Sequence, residues 1–328
     1  MGLRLFLWMR RRSWDGTNCD GARLLYVQNI QEGAQMAIGE VRPSDDISVR
    51  ENILSKIDPE NFAWTMPFMR AGYAGRGLVY LVVAGFSLWS VWQGSEAKGA
   101  QDTMRSLDSW VGLAAVSLIA AGMFAYAIWR CIDSFWDLEA HGNSAKGIFA
   151  RIAMIVTGLL HGGIGVLALA ALSGRSSGGQ GQTMLSSMMQ TNAGPWLIGT
   201  AGLITVGAGG YYVYKGISQS YRDNLEANHF TANWNPLLRA GLIAQGVAIA
   251  IIGALIAYAA ITVDASQAGG LGSAFDWLHQ QAYGRFVVAA LCLGLLCFSL
   301  FCFVNAVFRI VPKAEGGSVE NLTAYFKK

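Results

Sequence analysis

Charged side chains are scarce in this chain of 328 residues, in which Asp, Glu, Lys and Arg together account for 14%. Soluble domains carry about 25% charged residues, whereas hydrophobic residues make up 53% of this chain. The apolar residues lie in long runs, which excludes an ordinary soluble protein. The net charge of +3 is small and is spread over tails and loops. Because no basic patch is interleaved with aromatics, no nucleic-acid partner is predicted.

Residue patterns for covalent chemistry are also lacking. The five cysteines have neither zinc-site nor redox-pair spacing. Serine and histidine occur without a nucleophile elbow, and the Gly-Gly pairs at 178–179 and 269–270 open no phosphate-binding helix. We therefore predict no enzymatic activity, no catalytic residues and no cofactor.

One cluster of acidic residues follows the second apolar run. Its members are Asp133, Asp137 and Glu139, with His141 nearby. A metal site is one reading of this cluster, because carboxylates and imidazoles are metal ligands. A solvated loop, or a salt bridge with Arg130 or Lys146, is the reading that we adopt, so that no metal is predicted.

Six apolar stretches are long enough to cross a bilayer, and they lie at 72–93, 110–132, 152–172, 196–217, 238–261 and 285–308. Lipid cannot satisfy exposed backbone groups, so these spans must be helices. One side of the membrane receives Lys56, Arg70, Arg130, Lys146, Arg151, Lys215, Arg222, Arg239, Arg309 and Lys313, and the other receives Lys98, Arg105, Arg175 and Arg285. The excess of basic residues on the first side predicts that both termini are cytoplasmic.

The spans form an internal repeat. Arg70, Arg151 and Arg239 precede the odd-numbered spans at separations of 81 and 88 residues, and a glycine follows each of them seven residues later. The even-numbered spans share a second pattern. Its copies are Gly122-x3-Tyr126-x3-Arg130, Gly207-x3-Tyr211-x3-Lys215 and Gly294-x3-Phe298-x3-Cys302, of which the third lacks the base. Small residues at such spacing let membrane helices approach closely.

Three tandem units that open with R-x-[GA]-x4-G and close with G-x3-aromatic-x3-basic resemble the bacterial membrane family catalogued as domain of unknown function 1206. The resemblance covers residues 68–311. It implies six spans in a bacterial inner membrane, and it supplies neither an activity nor catalytic residues.

We predict an all-α, polytopic membrane protein with six transmembrane helices in three parallel two-helix repeats, packed as a bundle with pseudo-threefold symmetry. The predicted segments are a cytoplasmic tail at 1–67, repeats at 68–145, 146–233 and 234–312, and a second cytoplasmic tail at 313–328. Residues 1–35 have two interpretations: that they belong to the native protein, or that they precede a true start at Met36.

Two sets of polar residues are candidates for a site. Arg70, Arg151 and Arg239 would form a cytoplasmic ring that anchors the topology or binds an anionic ligand such as a lipid headgroup. The second set, inside the membrane, is Arg76, His161, Gln245 and Tyr126.

Three of the four intramembrane candidates have alternative roles. Arg76 reaches the cytoplasmic face, pairs with Asp133 or Asp137, or lines a cavity. His161 bonds to a neighbouring hydroxyl or carbonyl, or it relays protons or contacts a ligand. Gln245 joins helices or contacts a substrate.

Two functions are compatible with this pattern. Scarce buried charge and abundant glycine favour a structural or accessory subunit, or a scaffold, whose partners are membrane lipids and other membrane proteins. The alternative is a small-molecule or ion transporter or channel along the axis between the repeats, which would use the intramembrane polar residues.

Overall fold

The computed structural model describes residues 59–93, 110–173, 185–315 and 321–327. Most of the predicted N-terminal tail, including the question of residues 1–35, lies outside these ranges. So do Lys98, Arg105 and Arg175, which entered the topology prediction.

Six long helices dominate the described residues. They are α1 Met66–Trp92, α2 Trp110–Trp136, α3 Ala145–Leu172, α4 Gly194–Ser218, α5 Asn235–Thr262 and α6 Gly284–Phe308. All six are long and apolar enough to cross a membrane. In the described part of the chain, extended pairing is limited to two isolated bridges, Leu225 with Arg309 and Glu226 with Asn321. The predicted class, an all-α protein with six spans, is confirmed.

Prolines mark the start of three spans. Pro67, Pro195 and Pro236 each lie in the first turn of a helix, at the beginning of α1, α4 and α5. The first turn has no intrahelical acceptor for its N–H groups, so proline costs nothing there. Pro67, the second residue of α1, is therefore compatible with the start of the first span.

The helices pack side by side in chain order. α1 contacts α2, α2 contacts α3, α4 contacts α5, α5 contacts α6, and α6 returns to contact α1. No comparable interface joins α3 to α4 within the described ranges. In the most apolar 18-residue segment of each helix, the buried share is 22% in α3 and 17% in α4. It is 50% in α1 and in α6. The result is a ring of six helices that is open between α3 and α4.

This order fits three two-helix repeats around one axis. The interfaces between successive repeats, α2 with α3, α4 with α5 and α6 with α1, are all present. Inside the repeats, α1 contacts α2 and α5 contacts α6, whereas the described residues show no comparable interface between α3 and α4. A linear arrangement would have separated α1 from α6, so the return contact is what makes the arrangement cyclic.

Glycines set the closeness of these interfaces. A Cβ built on Gly75 would lie 2.4 Å from the Gly122 Cα, where α1 meets α2. One built on Gly209 would lie 2.6 Å from the Ala250 nitrogen, where α4 meets α5. No side chain fits at such distances, so the helix backbones themselves are in contact. This is the role that the sequence predicts for the glycines.

Shorter segments cover one end of the ring, which we call the tail side. A 3-10 helix at Pro59–Thr65 contacts the helix Pro312–Glu315 there. The Lys313 N–H donates to the carbonyl of Leu138, just after α2. At the other end, the amphipathic helix Leu271–His279 buries Phe275 and Leu278 in the main apolar core.

Candidate functional site

Arg76 points into the ring. Its residue surface is only 4% exposed, and Nη1 donates to the Tyr126 hydroxyl at 3.3 Å. The guanidinium carbon lies 4.9 Å from the ring centroid of Phe298, 5.4 Å from that of Tyr126 and 6.0 Å from that of Tyr80. These distances are within the range of cation–π attraction. Arg76 therefore turns toward an aromatic interior instead of reaching for the membrane surface.

No carboxylate of the described residues forms an ion pair with Arg76. Asp133 pairs with Arg130 at 3.1 Å, and Asp137 accepts from the backbone N–H groups of His141 and Gly142. Pairing of Arg76 with either aspartate, one of the three roles considered from sequence, is therefore wrong. The reason is that the Arg130 guanidinium lies on the same helix as Asp133, three residues away.

The Arg76 charge is only partly compensated. A cation–π contact contributes about 0.5–2 kcal/mol, whereas leaving a buried charge without its partner costs about 3–5 kcal/mol. The Arg76 Nε is fully buried and has no hydrogen-bond acceptor among the described residues. The rings offset part of the cost of burial, but they leave a donor aimed into the interior with nothing to accept from it.

His161 lies beside Tyr126. Its Nδ1 is 2.7 Å from the carbonyl oxygen of Thr157, and the His161 and Tyr126 ring centroids are 4.6 Å apart. A carbonyl can only accept, so Nδ1 carries the proton and Nε2 of the neutral ring is an acceptor. The predicted bond to a neighbouring carbonyl is confirmed. The His161 ring also lies next to Tyr126, whose hydroxyl accepts from Arg76.

Gln245 connects α5 to α1. Its Nε2 donates to the Tyr80 hydroxyl at 2.7 Å, while its buried Oε1 has no hydrogen-bond partner. Tyr80 in turn contributes its ring face to Arg76. The predicted role in joining helices is confirmed, and one acceptor remains unused.

The fourth helix completes the arrangement with Tyr212. The charges of both Arg76 and Lys215 act on the Tyr212 hydroxyl, and Tyr212 and Lys215 are half-buried. Every helix of the ring thus contributes to one cluster. We define the central site as Arg76 and Tyr80 on α1, Tyr126 on α2, His161 on α3, Tyr212 on α4, Gln245 on α5 and Phe298 on α6.

The repeat relates several of these residues to one another. The shifts of 81 and 88 residues that align Arg70, Arg151 and Arg239 also map Arg76 onto Thr157 and Gln245. They map Tyr80 onto His161. The four intramembrane candidates predicted from sequence therefore meet in one place, because equivalent positions of a cyclic repeat face the same axis.

Three residues of the central site were not among the predicted candidates. The repeat register could have found Tyr80, as the equivalent of His161, and Phe298, as the equivalent of Tyr126. The register could not have found Tyr212, because it gives Tyr211 as the equivalent of Tyr126. Tyr211 is 59% exposed, and Tyr212 is the residue that faces the interior.

A network of ion pairs extends from the central site to the tail side. The Tyr126 hydroxyl accepts a second bond from the Arg130 Nε at 3.1 Å, and Arg130 lies 3.7 Å from Glu139. Arg309 donates to Glu139 and places its guanidinium 5.2 Å from the Tyr73 ring centroid. We call Arg130, Asp133, Glu139 and Arg309 the tail-side network. It confirms the predicted salt bridge between this acidic cluster and Arg130.

Charge determines how Glu139 titrates. Burial alone would raise the pKa of this carboxyl, but the guanidiniums of Arg309 and Arg130 hold the pKa below its ordinary value. Glu139 is therefore ionised across the physiological range. In the described ranges, no group of three His, Cys, Asp or Glu side chains is arranged to hold a metal ion.

The predicted arginine ring does not join the central site. Arg151 donates from Nε to the Ser134 carbonyl at 2.6 Å and from Nη2 to the Phe135 carbonyl at 3.2 Å. It thus satisfies the carbonyls at the end of α2. Arg70 and Arg239 are exposed, and lipid or anion binding by the three arginines stays a prediction.

Comparisons with known proteins agree with this architecture. The family described as Domain of Unknown Function (DUF1206) matches three times, over residues 71–137, 152–219 and 240–309. An uncharacterized protein of Bacillus subtilis (strain 168), YxxB, is 24% identical over 269 residues, which cover 80% of this chain and 98% of that protein. No solved structure matches the chain. The chain is thus a multi-pass membrane protein of three tandem repeats, and it belongs to the DUF1206 family.

Proposed function

We propose that this protein is a carrier of the bacterial inner membrane, with both termini cytoplasmic, and that it binds an anionic ligand at the central site. The observation that supports this most is the charge of Arg76, which has no carboxylate partner among the described residues. Its guanidinium is buried among aromatic rings, and its Nε lacks an acceptor. An anion that accepts from this group would remove the remaining cost of burying it.

The balance of charge around the site also favours an anion. The interior cations are Arg76, Arg130, Lys215 and Arg309, and the carboxylates facing them are Asp133 and Glu139. Cations exceed carboxylates even when every pair is formed. A cationic ligand would meet repulsion here, and a neutral one would leave the Arg76 charge only partly compensated.

A chain of polar groups that leads from the central site toward one membrane face favours transport over simple storage of a ligand. The Tyr126 hydroxyl joins Arg76 to Arg130, which continues into the tail-side network. On the other side of the site, the main core is apolar and includes Val83, Ile119 and Leu291. A polar path on one side and an apolar barrier on the other is the asymmetry expected of a carrier in one of its two states.

The experiment is anion uptake into proteoliposomes that contain the purified protein, with labelled inorganic phosphate, sulfate and short carboxylates as probes. We expect uptake of at least one probe, and loss of that uptake in Arg76→Gln. Arg285→Gln is the control, because Arg285 is an exposed arginine of α6 that belongs to neither set of candidate residues. Uptake that Arg76→Gln leaves intact would overturn the proposal, and so would the absence of any anion that enters or binds.

A structural or accessory subunit is the second candidate, and one observation favours it. α3 and α4 present large apolar surfaces, including Leu159 and Leu203, that no other described part of the chain covers. A partner subunit could bury them. Purification from native membranes, followed by mass spectrometry, would then find a partner at constant stoichiometry, and a protein that is reproducibly solitary would count against this role.

A further inference from the structure

The opening between α3 and α4 has closed counterparts in the other two repeats. In repeat 1, a Cβ on Gly75 would lie 2.4 Å from the Gly122 Cα. In repeat 3, a Cβ on Gly294 would lie 2.3 Å from the Ala244 Cβ. The repeat register places Val156 and Gly207 at the same positions in repeat 2. Val156 is 51% exposed, and a Cβ on Gly207 would meet nothing within 4 Å.

The same difference recurs one turn further along the helices. A Cβ on Gly72 would lie 2.6 Å from the Tyr126 Cα, and one on Gly241 would lie 2.5 Å from the Phe298 nitrogen. The equivalent pair in repeat 2 is Ala153 and Tyr211, and both side chains are exposed. Among its described residues, repeat 2 therefore has no close helix contact like those that close the other repeats. We call Ala153, Val156, Gly207 and Tyr211 the lateral opening.

The local sequence explains why this interface alone is open. Repeats 1 and 3 have Gly75 and Ala244 where the odd and even helices touch, and repeat 2 has the branched Val156. A β-branched side chain holds two helix backbones further apart than glycine or alanine does. The edges of the opening are nevertheless apolar, so that they are compatible with lipid chains and unfavourable for a hydrated ion.

Polar groups lie behind these apolar edges. His161 on α3 and Tyr212 and Lys215 on α4 are on the two helices that flank the opening, and each keeps some exposed surface. Behind them is Arg76 with its unpartnered Nε. A ligand that entered between α3 and α4 would therefore meet apolar surface first and a buried cation behind it.

We propose that the ligand of the central site is an anionic phospholipid that enters sideways through the lateral opening, with its phosphate at Arg76 and Lys215 and its acyl chains between α3 and α4. This inference rests on the proposed anion-binding function and adds the class of ligand and its route. The phospholipid and a free phosphate ion both carry phosphoryl oxygens, which accept hydrogen bonds from guanidinium groups. The apolar edges favour the lipid form on this route, because a dissolved anion that entered between α3 and α4 would have to lose its water at Val156.

The test is a binding measurement on the detergent-purified full chain, with native mass spectrometry to count the molecules bound. The probes are a short-chain phosphatidylglycerol, the phosphatidylcholine with the same chains, glycerol phosphate and inorganic phosphate. We expect phosphatidylglycerol to bind in preference to the other three. Arg76→Gln should weaken its binding by about tenfold to a hundredfold, because a charge-assisted hydrogen bond is lost.

Blocking the opening tests the route. Gly207→Trp places a large side chain where the structure has open space, and we expect it to weaken phosphatidylglycerol binding by about tenfold or more. The matched control is Gly85→Trp, because a Cβ on Gly85 also meets nothing within 4 Å and α1 does not flank the opening. Glycerol phosphate and inorganic phosphate serve as probes without acyl chains.

Each result has one interpretation. If free phosphate binds in an Arg76-dependent way and the lipid does not, the lipid inference is wrong while the anion site stands. If no probe binds, both fail. If phosphatidylglycerol binds equally well to Gly207→Trp, the lateral route is wrong. If the unliganded protein is a dimer that Gly207→Trp dissociates, a second copy covers the opening and the inference is overturned.

Discussion

At the scale of single residues, the central feature is a tyrosine shared by two arginines. The Tyr126 hydroxyl accepts from Arg76 at 3.3 Å and from Arg130 at 3.1 Å, and its ring lies against both guanidiniums. One oxygen therefore couples the central site to the tail-side network. Because a phenol oxygen has two lone pairs, it can serve both donors at once.

Replacing Tyr126 with phenylalanine isolates the contribution of this oxygen. Tyr126→Phe keeps the ring but leaves buried donors on both arginines without an acceptor, which costs about 1–3 kcal/mol. We expect a lower midpoint of thermal unfolding in detergent, measured by circular dichroism. Tyr214→Phe is the control, since Tyr214 is exposed and should change the midpoint little. Equal midpoints for the two variants would contradict this account.

Acid should destabilise the protein through Glu139. The pKa of Glu139 is below its ordinary value in the folded state because Arg309 and Arg130 offset the effect of burial. Its contribution to the free energy of unfolding is therefore complete above about pH 4.3, the ordinary glutamate pKa, and is lost as the pH falls below that value.

The measurement is the unfolding midpoint in detergent between neutral and strongly acidic pH. Below the ordinary glutamate pKa, the midpoint of the wild type should fall more steeply than that of Glu139→Gln, which has no proton to gain. Parallel curves for the two proteins would show that Glu139 is not held ionised by its arginine partners.

At the scale of helices, glycines decide which pairs can touch. α4 and α5 meet through Gly202 and Gly209 on one side and Gly246 and Gly253 on the other. Since no apolar solvent force draws helices together inside lipid, this backbone contact is what joins them. The low burial of α4 elsewhere makes the α5 interface its main attachment to the ring.

Two adjacent glycines of α4 provide a matched test. Gly209→Ala puts a methyl group 2.6 Å from the Ala250 nitrogen, whereas a Cβ on Gly210 meets nothing within 4 Å. We expect Gly209→Ala to destabilise the protein by about 1–3 kcal/mol through overpacking. Gly210→Ala should be neutral or slightly stabilising, because alanine favours helix. The same thermal unfolding measurement distinguishes them, and equal losses would show that α4 does not approach α5 so closely.

The number and approximate positions of the helices could be predicted from the apolar runs, whereas their exact ends and inward faces depend on packing. The run at 152–172 lies inside α3, which begins seven residues earlier at Ala145. Helical hydrogen bonds continue past the hydrocarbon layer, so hydropathy marks the span and not the helix. Nor does the repeat determine which of two adjacent tyrosines faces inward. Tyr212 is half-buried, whereas its neighbour Tyr211 is 59% exposed.

At the scale of the whole molecule, three similar units produce a ring with one opening. The cyclic order could be anticipated from parallel repeats. The missing α3–α4 interface could not, because a pattern of matching glycines suggests that all three repeats close alike. The decisive substitution, Val156 for glycine or alanine, is one ordinary apolar residue among many. Its effect is visible only when the three interfaces are compared in space.

The proposed orientation can be tested with reporters. We expect green fluorescent protein attached after Lys328 to fluoresce and alkaline phosphatase at the same place to be inactive, because we propose that the C-terminus is cytoplasmic. The same reporters inserted between α3 and α4 should behave in the opposite way, since α3 has crossed the membrane by then. Active phosphatase after Lys328 would reverse the proposed topology.

The contact between the first and last helices constrains how the protein is made. The Ser299 hydroxyl donates to the Gly77 carbonyl at 2.7 Å, across 222 residues of sequence, and Phe298 next to it shields Arg76. During synthesis, α1 must therefore enter the membrane long before the helix that covers its charge has left the ribosome. The nascent chain has to shelter Arg76 in the insertion machinery, or against provisional neighbours, until translation is nearly complete. Premature termination before α6 would then produce an insertion intermediate with a bare cation, which is a natural substrate for membrane quality-control proteases.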